Sequence, residues 1–324
     1  MAETENSLVG DHLVDKVRRR RKLAETVSPL PAKTRVITVS NQKGGVGKTT
    51  TTVNLAAALA RRGARVLVID LDPQGNASTA LGVPHRPEVT SIYDVLLGEL
   101  GLEDAMQPTT DHENLVCVPS TINLAGAEIE LVSLVAREQR LRTALQTFLD
   151  AAEERYDYVF IDCPPSLGLL TVNAFVAADE VLIPIQCEYY ALEGLSQLLG
   201  NIQLIQKHLN PGLRVSTIML TMYDARTNLA HEVATEVRAH FPEQVLDAVI
   251  PRSVRISEAP SYGQTVHAYD GASIGALAYL ESAAEIAERG AKAERAAKKQ
   301  AKKNRQNQQN QQSTDSHSQN NGKA

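Results

Sequence analysis

Six nearly continuous apolar runs recur along the chain: Val36-Ile37-Thr38-Val39, Val66-Leu67-Val68-Ile69, Leu115-Val116-Cys117-Val118, Tyr158-Val159-Phe160-Ile161, Val181-Leu182-Ile183-Pro184-Ile185 and Val215-Ser216-Thr217-Ile218-Met219-Leu220. A strand wetted on one face alternates apolar with polar residues, so continuous runs mark strands buried on both faces, as in a parallel sheet. Helical periodicity fills the gaps, over Thr49 to Arg62, Ile122 to Asp150, Leu192 to His208 and Asn228 to His240. The alternation predicts an α/β fold with a doubly wound, mostly parallel sheet and helices on both faces, in one domain over residues 33–290. A last helix starts near Ser273 and runs through Ala-, Glu- and Lys-rich sequence.

The two ends break the pattern. Residues 1–32 read as a flexible polar leader, in which the run Lys16-Val17-Arg18-Arg19-Arg20-Arg21-Lys22 is followed by the helix-breaking Ser28-Pro29-Leu30-Pro31. Residues 291–324 read as a helix end and a disordered tail, because Asn304 to Ala324 is rich in Gln, Asn and Ser and has scarcely an apolar side chain to offset the entropy of ordering.

Composition then narrows the class. The 324 residues can bury a sizeable core, and 43% hydrophobic with 22% charged residues is ordinary globular usage. The absence of Trp and the presence of only 4 Phe argue against an aromatic-lined sugar or membrane site. A net charge of −5 means that nucleic acid could be held only by a local basic patch. Cys117, Cys163 and Cys187 stand alone, with no paired spacing for zinc or an iron–sulfur cluster and no disulfide framework. With no signal-peptide core and no long apolar span, the reading is a cytoplasmic protein with no membrane attachment.

The chemistry begins after the first strand, where Lys43-Gly44-Gly45-Val46-Gly47-Lys48-Thr49-Thr50 opens directly into a helix. Glycines let the backbone wrap phosphate oxygens, and the helix N-terminus adds partial positive charge. In such a loop Lys48 meets the β- and γ-phosphates and Thr49 offers its hydroxyl to Mg²⁺. The loop departs from the usual GxxxxGK[ST] pattern and carries a second lysine, Lys43, able to serve its own nucleotide or one on another subunit. Asp70 and Asp72 end one strand and Asp162 ends another before Pro164-Pro165. Each could act at a magnesium–nucleotide site or merely cap a turn. Cys163 reads as a small buried residue.

The segment KGGVGKTT resembles the deviant phosphate loop of the ParA/MinD family of ATPases, and Asp70-Leu71-Asp72-Pro73-Gln74-Gly75-Asn76 and Asp162-Cys163-Pro164-Pro165-Ser166 resemble its two switch segments. Tyr223-Asp224-Ala225-Arg226-Thr227-Asn228-Leu229 and the stretch from Ile250 to Ser261 are similar to chromosomal, Soj-type ParA proteins, and the match runs over about residues 34–285. The resemblance implies an ATPase that partitions chromosomes. It implies catalytic roles for Lys43, Lys48 and Asp72, with Lys43 reaching across a nucleotide-sandwich homodimer and Asp72 orienting water. ATP contacts would come from Lys43, Gly44, Gly45, Val46, Gly47, Lys48, Thr49 and Thr50, with Pro251 and Arg252 as further candidates, and Mg²⁺ contacts from Thr49 and Asp162.

The resemblance also implies non-specific DNA binding by Arg226 and Arg255, to which Arg252 is added as a neighbour, stimulation of hydrolysis by a ParB-type centromere-binding protein, and association with the nucleoid. On residues alone three arginines are as readily solvated surface charge, and Arg238 and Lys207 are either part of the same surface or ordinary helix positions. The basic leader stands open as a solvated run, a DNA arm or a docking segment. Three other readings are disfavoured by the sequence: a MinD-like membrane regulator needs Leu, Ile or Phe on a terminal helix, a metallocluster carrier needs paired cysteines, and a small-molecule kinase needs an acceptor pocket.

Overall fold

The computed structural model describes residues 14, 16–189 and 191–320, the stretch 305–320 by its backbone alone. Seven strands form one sheet: β1 Arg35–Val39, β2 Val66–Asp70, β3 Gln107–Pro108, β4 Leu115–Val118, β5 Tyr158–Asp162, β6 Glu180–Gln186 and β7 Arg214–Thr221. Their order is β3-β4-β2-β5-β1-β6-β7, and every pairing is parallel except that of the short edge strand β3 with β4. The six apolar runs are the six longer strands, and β2 and β5 are buried along their whole length.

The helices in chain order are α1 over residues 16–25, α2 Lys48–Ala60, α3 Asn76–Ala80, α4 Ile92–Leu97, α5 Leu124–Leu131, α6 Arg140–Ala151, α7 Leu169–Ala177, α8 Ala191–His208, α9 Asn228–His240, α10 Val254–Glu258, α11 Val266–Asp270 and α12 Ile274–Asn320. They cover both faces of the sheet, leaving one apolar core on each side. Helix α2 is buried almost all round, which is why its sequence lacks a polar stripe.

The sheet order places the site. β1 lies between β5 and β6, and the connection leaving β1 through α2 and that leaving β5 through α7 pack on opposite faces, opening a crevice at the C-terminal ends of these strands. At that end Asp70 of β2 and Asp162 of β5 are register partners.

Four expectations need correction. The single helix over Ile122 to Asp150 is two, α5 and α6, parted by a 3₁₀ turn at Arg137–Gln139 after Ala136 at φ 52°. Buried Asn173 stabilises the break, donating to Arg137 O at 2.8 Å and accepting from Leu141 N at 3.2 Å. The leader, expected to be flexible, forms α1 and is docked: Arg19 makes two bonds to Glu281 at 2.9 and 2.6 Å, and Arg62 donates to Thr26 O at 2.5 Å. Residues 1–13 lie outside the described part of the chain. The segment 304–320, expected to be disordered, continues α12, and Arg305 and the glutamines from Gln306 to Gln312 are good helix formers. Arg255, expected in a loop or strand end, sits on the short helix α10, which starts where Ser253 is extended.

Candidate nucleotide site

The loop between β1 and α2 is shaped by its glycines. Gly45 and Gly47 have φ of 75° and 87°, a region L side chains rarely adopt, and a Cβ on Gly44, Gly45 or Gly47 would meet nothing within 4 Å. The backbone requires glycine here, and the space beside it is open. Gly47 caps α2 without any side-chain bond, so the first N–H groups of the helix are left for an anion.

Two distant residues hold the loop in this shape. Asn41 donates to Pro184 O at 2.8 Å and accepts from Lys43 N at 3.0 Å, and Thr221 donates from Oγ1 to Val46 O at 2.8 Å. The cavity in front of the loop has a volume of about 460 Å³, with Gly45, Lys48, Thr49, Asp72 and Pro165 in its walls. A second cavity of about 140 Å³ shares Gly47, Thr50 and Met222 with it and is closed by Ile250, Pro251, Arg252 and Tyr279. The two compartments are thus contiguous, and Pro251 and Arg252 fall in the second.

Lys48 and Lys43 diverge. Lys48 is 8% exposed and its Nζ lies 3.4 Å from Lys43 O. Burial pulls its pKa below the usual lysine value, while Asp162 and Asp72 act against that shift. Lys43 is outside the cavity wall, and its Nζ pairs with the Glu188 carboxylate at 2.6 Å.

The three carboxylates have three environments. Asp162 is fully buried and accepts from Thr49 Oγ1 at 2.7 Å and Thr52 Oγ1 at 2.9 Å. Burial first, and then the neighbouring Asp70, push its pKa up to about 8 against those two hydroxyls. A buried carboxylate next to a threonine hydroxyl is a hard-oxygen set suited to magnesium, whose charge would offset its desolvation. Asp70 is also fully buried, but it is spent on local structure: it accepts from Ser78 N at 2.8 Å, Ser78 Oγ at 2.7 Å and Asp72 N at 3.2 Å. For Asp70 the turn-capping alternative is the one realised. Asp72 accepts from Gln74 N at 3.0 Å and faces the larger cavity. Cys163 lies 3.0 Å from Thr38 Oγ1, and burial pushes its thiol up to about 12, so it is no nucleophile at neutral pH.

The three candidate DNA arginines gather beyond β7. Residues Tyr223 and Pro251 form a β-bridge, and Arg252 N donates to Tyr223 O at 3.1 Å, so the segments bearing Arg226 and Arg252 are adjacent. Arg226 is 86% exposed and forms a fork to Asp224 with bonds of 2.8 and 2.7 Å. Those bonds hold the Asp224 pKa well below the carboxylate range. Arg255 lies 3.3 Å from Glu258 and 3.6 Å from Asp270, over the ring of Tyr269. Arg238 sits in the last turn of α9, bonded to Asp247 O at 3.4 Å, and Lys207 in the last turn of α8.

Sequence reasoning missed Asn41, Thr52, Thr221, Met222 and Tyr279. Their roles depend on contacts far along the chain, and for Met222 on a positive φ of 51° that no local residue pattern announces.

Comparison with known proteins agrees with this geometry. An AAA-domain family pattern matches residues 34–215. The chain is 54% identical over 256 residues to the sporulation initiation inhibitor protein Soj of Bacillus subtilis, spanning 79% of this chain and 99% of that one. It is 52% identical over 255 residues to the chromosome partitioning protein ParA of Myxococcus xanthus, spanning 79% and 88%. A crystal structure of cobyrinic acid a,c-diamide synthase from Mycobacterium smegmatis, with an ATP analogue and magnesium bound, is 39% identical and superposes with a TM-score of 0.66 over 77% of this chain and 93% of that one.

Proposed function

The chain belongs to the Soj/ParA family of chromosome-partitioning ATPases, and from that premise we propose that ATP clasps two subunits, that the clasped pair holds duplex DNA regardless of sequence, and that hydrolysis releases it. Its activity is ATP hydrolysis, with magnesium as cofactor.

One observation carries the proposal: of the two lysines in the loop, Lys48 is turned into the cavity and Lys43 away from it. Lys48 and the free N–H groups at the start of α2 neutralise the β- and γ-phosphates of the bound nucleotide. Lys43 is left to reach a nucleotide held by a second subunit. Asp72, on the turn braced by Asp70, orients the attacking water at the γ-phosphate. Thr49 and Asp162 are the residues that would hold magnesium, which supplies charge neutralisation during phosphoryl transfer. Pro251 and Arg252 border the base.

Arg226, Arg252 and Arg255 meet DNA phosphates, a contact that weakens with salt. Each pairing of subunits doubles this patch, so ATP raises DNA affinity through avidity. That places the ATP form on the nucleoid, and a ParB-type partner that speeds hydrolysis detaches it. Among the described residues no helix is long and apolar enough to cross a membrane.

Co-sedimentation with random-sequence duplex DNA tests the reading. Retention that is strong with ATP and weak with ADP is expected, while equal retention with both nucleotides contradicts it.

A further inference from the structure

The whole chain is net acidic, at −5, yet the outer part of α12 is strongly basic. From residue 292 to 304 it carries Lys292, Arg295, Lys298, Lys299, Lys302 and Lys303 against the single carboxylate of Glu294. All six cations are exposed, and among the described residues none has an acidic partner within ion-pair distance. Glu294 is taken, accepting from Ala32 N at 3.0 Å where the leader crosses the helix. Further back, Glu281 is bound to Arg19 and Glu285 to Arg289, at 2.6 and 2.7 Å. Glu281, Glu285 and Glu294 therefore face the body and the leader, exposed Glu288 lies before the basic stretch, and the cations beyond it are left to solvent.

Their placement is one-sided. At about 100° of rotation per residue the six cations fall within an arc of about 140°, and at about 1.5 Å of rise each they spread along about 16 Å. The opposite side presents Ala293, Ala297, Gln300, Ala301 and Asn304. The inner part of α12 is packed into the core through Ala276, Leu277 and Tyr279, so the basic arc is mounted on the folded body.

We propose that this arc of α12 is a second docking surface for duplex DNA, separate from the arginines beyond β7 and in place whichever nucleotide is bound. Each strand of duplex DNA carries about one negative charge per 3.4 Å of axis, close to the spacing of six cations along about 16 Å. The only apolar side chains on this stretch are alanines, too small to anchor in a bilayer. It has no aromatic ring on which an unpaired base could stack, which points to the phosphates of a duplex.

The test uses the full chain with Arg295→Gln, Lys298→Gln, Lys299→Gln and Lys302→Gln together, substitutions that keep helix propensity. Duplex DNA binding is titrated against salt in the ADP and ATP forms. The slope of log affinity against log salt should become shallower by about 3 to 4 in both forms, at about 0.9 for each phosphate that is no longer neutralised. Basal ATP turnover should stay unchanged, and a companion chain with Lys298→Arg, Lys299→Arg and Lys302→Arg should keep the original slope. An unchanged slope in the glutamine chain overturns the proposal. So does an effect confined to vesicles containing phosphatidylserine, which would make this a lipid surface. A chain with Arg226→Glu and Arg255→Glu separates the two sites: it should lose the ATP-dependent increment in binding, while adding the four glutamine substitutions should still make its remaining salt slope shallower.

Discussion

Lys43 holds the carboxylate of Glu188 at 2.6 Å on the rim of the nucleotide cavity, with both side chains nearly half exposed. A lysine parked on its own chain must leave that partner before it can serve a second subunit. Glu188→Gln should therefore strengthen ATP-dependent dimerisation by a few-fold, because exposed pairs contribute only about 0.2–1 kcal/mol. Sedimentation at graded protein concentration measures it, and weaker dimerisation would contradict this role for Glu188.

Thr49 and Asp162 lie 2.7 Å apart at the end of β5. Asp162→Asn keeps the shape and removes the charge, so the magnesium needed for half-maximal ATPase activity should rise about 10- to 100-fold. The fold should tolerate the change, since a buried carboxylate is itself costly. An unaltered magnesium requirement would remove Asp162 from the metal site.

Arg35 and Glu180 form a buried fork, with two bonds of 2.8 Å, that links β1 to β6. Arg35 also donates to Ile286 O at 3.0 Å, tying the sheet to α12. Glu180→Ala strands a buried guanidinium and should lower stability by about 3–5 kcal/mol, read by denaturant unfolding.

His267 supplies a pH dependence. It is 8% exposed, its Nε2 lies 3.1 Å from Asn54 O, and burial lowers its pKa to about 4 from the ordinary histidine value of 6.5. The unfolded chain binds a proton there that the folded chain refuses, so stability should fall as pH drops from about 6.5 to about 4 and level off below, by about 3 kcal/mol at 1.36 kcal/mol per pKa unit. His267→Gln should flatten that part of the stability profile. An identical profile would show that other groups set it.

Much of this was legible in the sequence because the signals were local. Six buried strands announced themselves as continuous apolar runs, and the loop from Lys43 to Thr50 couples glycine conformation to phosphate chemistry within a few residues. The break between α5 and α6 was not legible, since it depends on Asn173, whose side chain arrives from another helix. Asp70 and Asp72 look alike in sequence and differ only through Ser78, which engages one and leaves the other to the cavity. The docking of α1 rests on Glu281, far along the chain, so a basic run that read as a free appendage is a packed element.

The central claim is that the γ-phosphate of bound ATP holds two subunits together through Lys43. Sedimentation velocity of the Asp72→Ala chain, in which hydrolysis should be slowed by about 10²-fold or more, tests it most directly. With magnesium and ATP this chain should run as a dimer and with ADP as a monomer, and adding Lys43→Ala should restore the monomer while nucleotide uptake persists. A chain that binds ATP yet stays monomeric, or that dimerises as well without Lys43, would contradict the account.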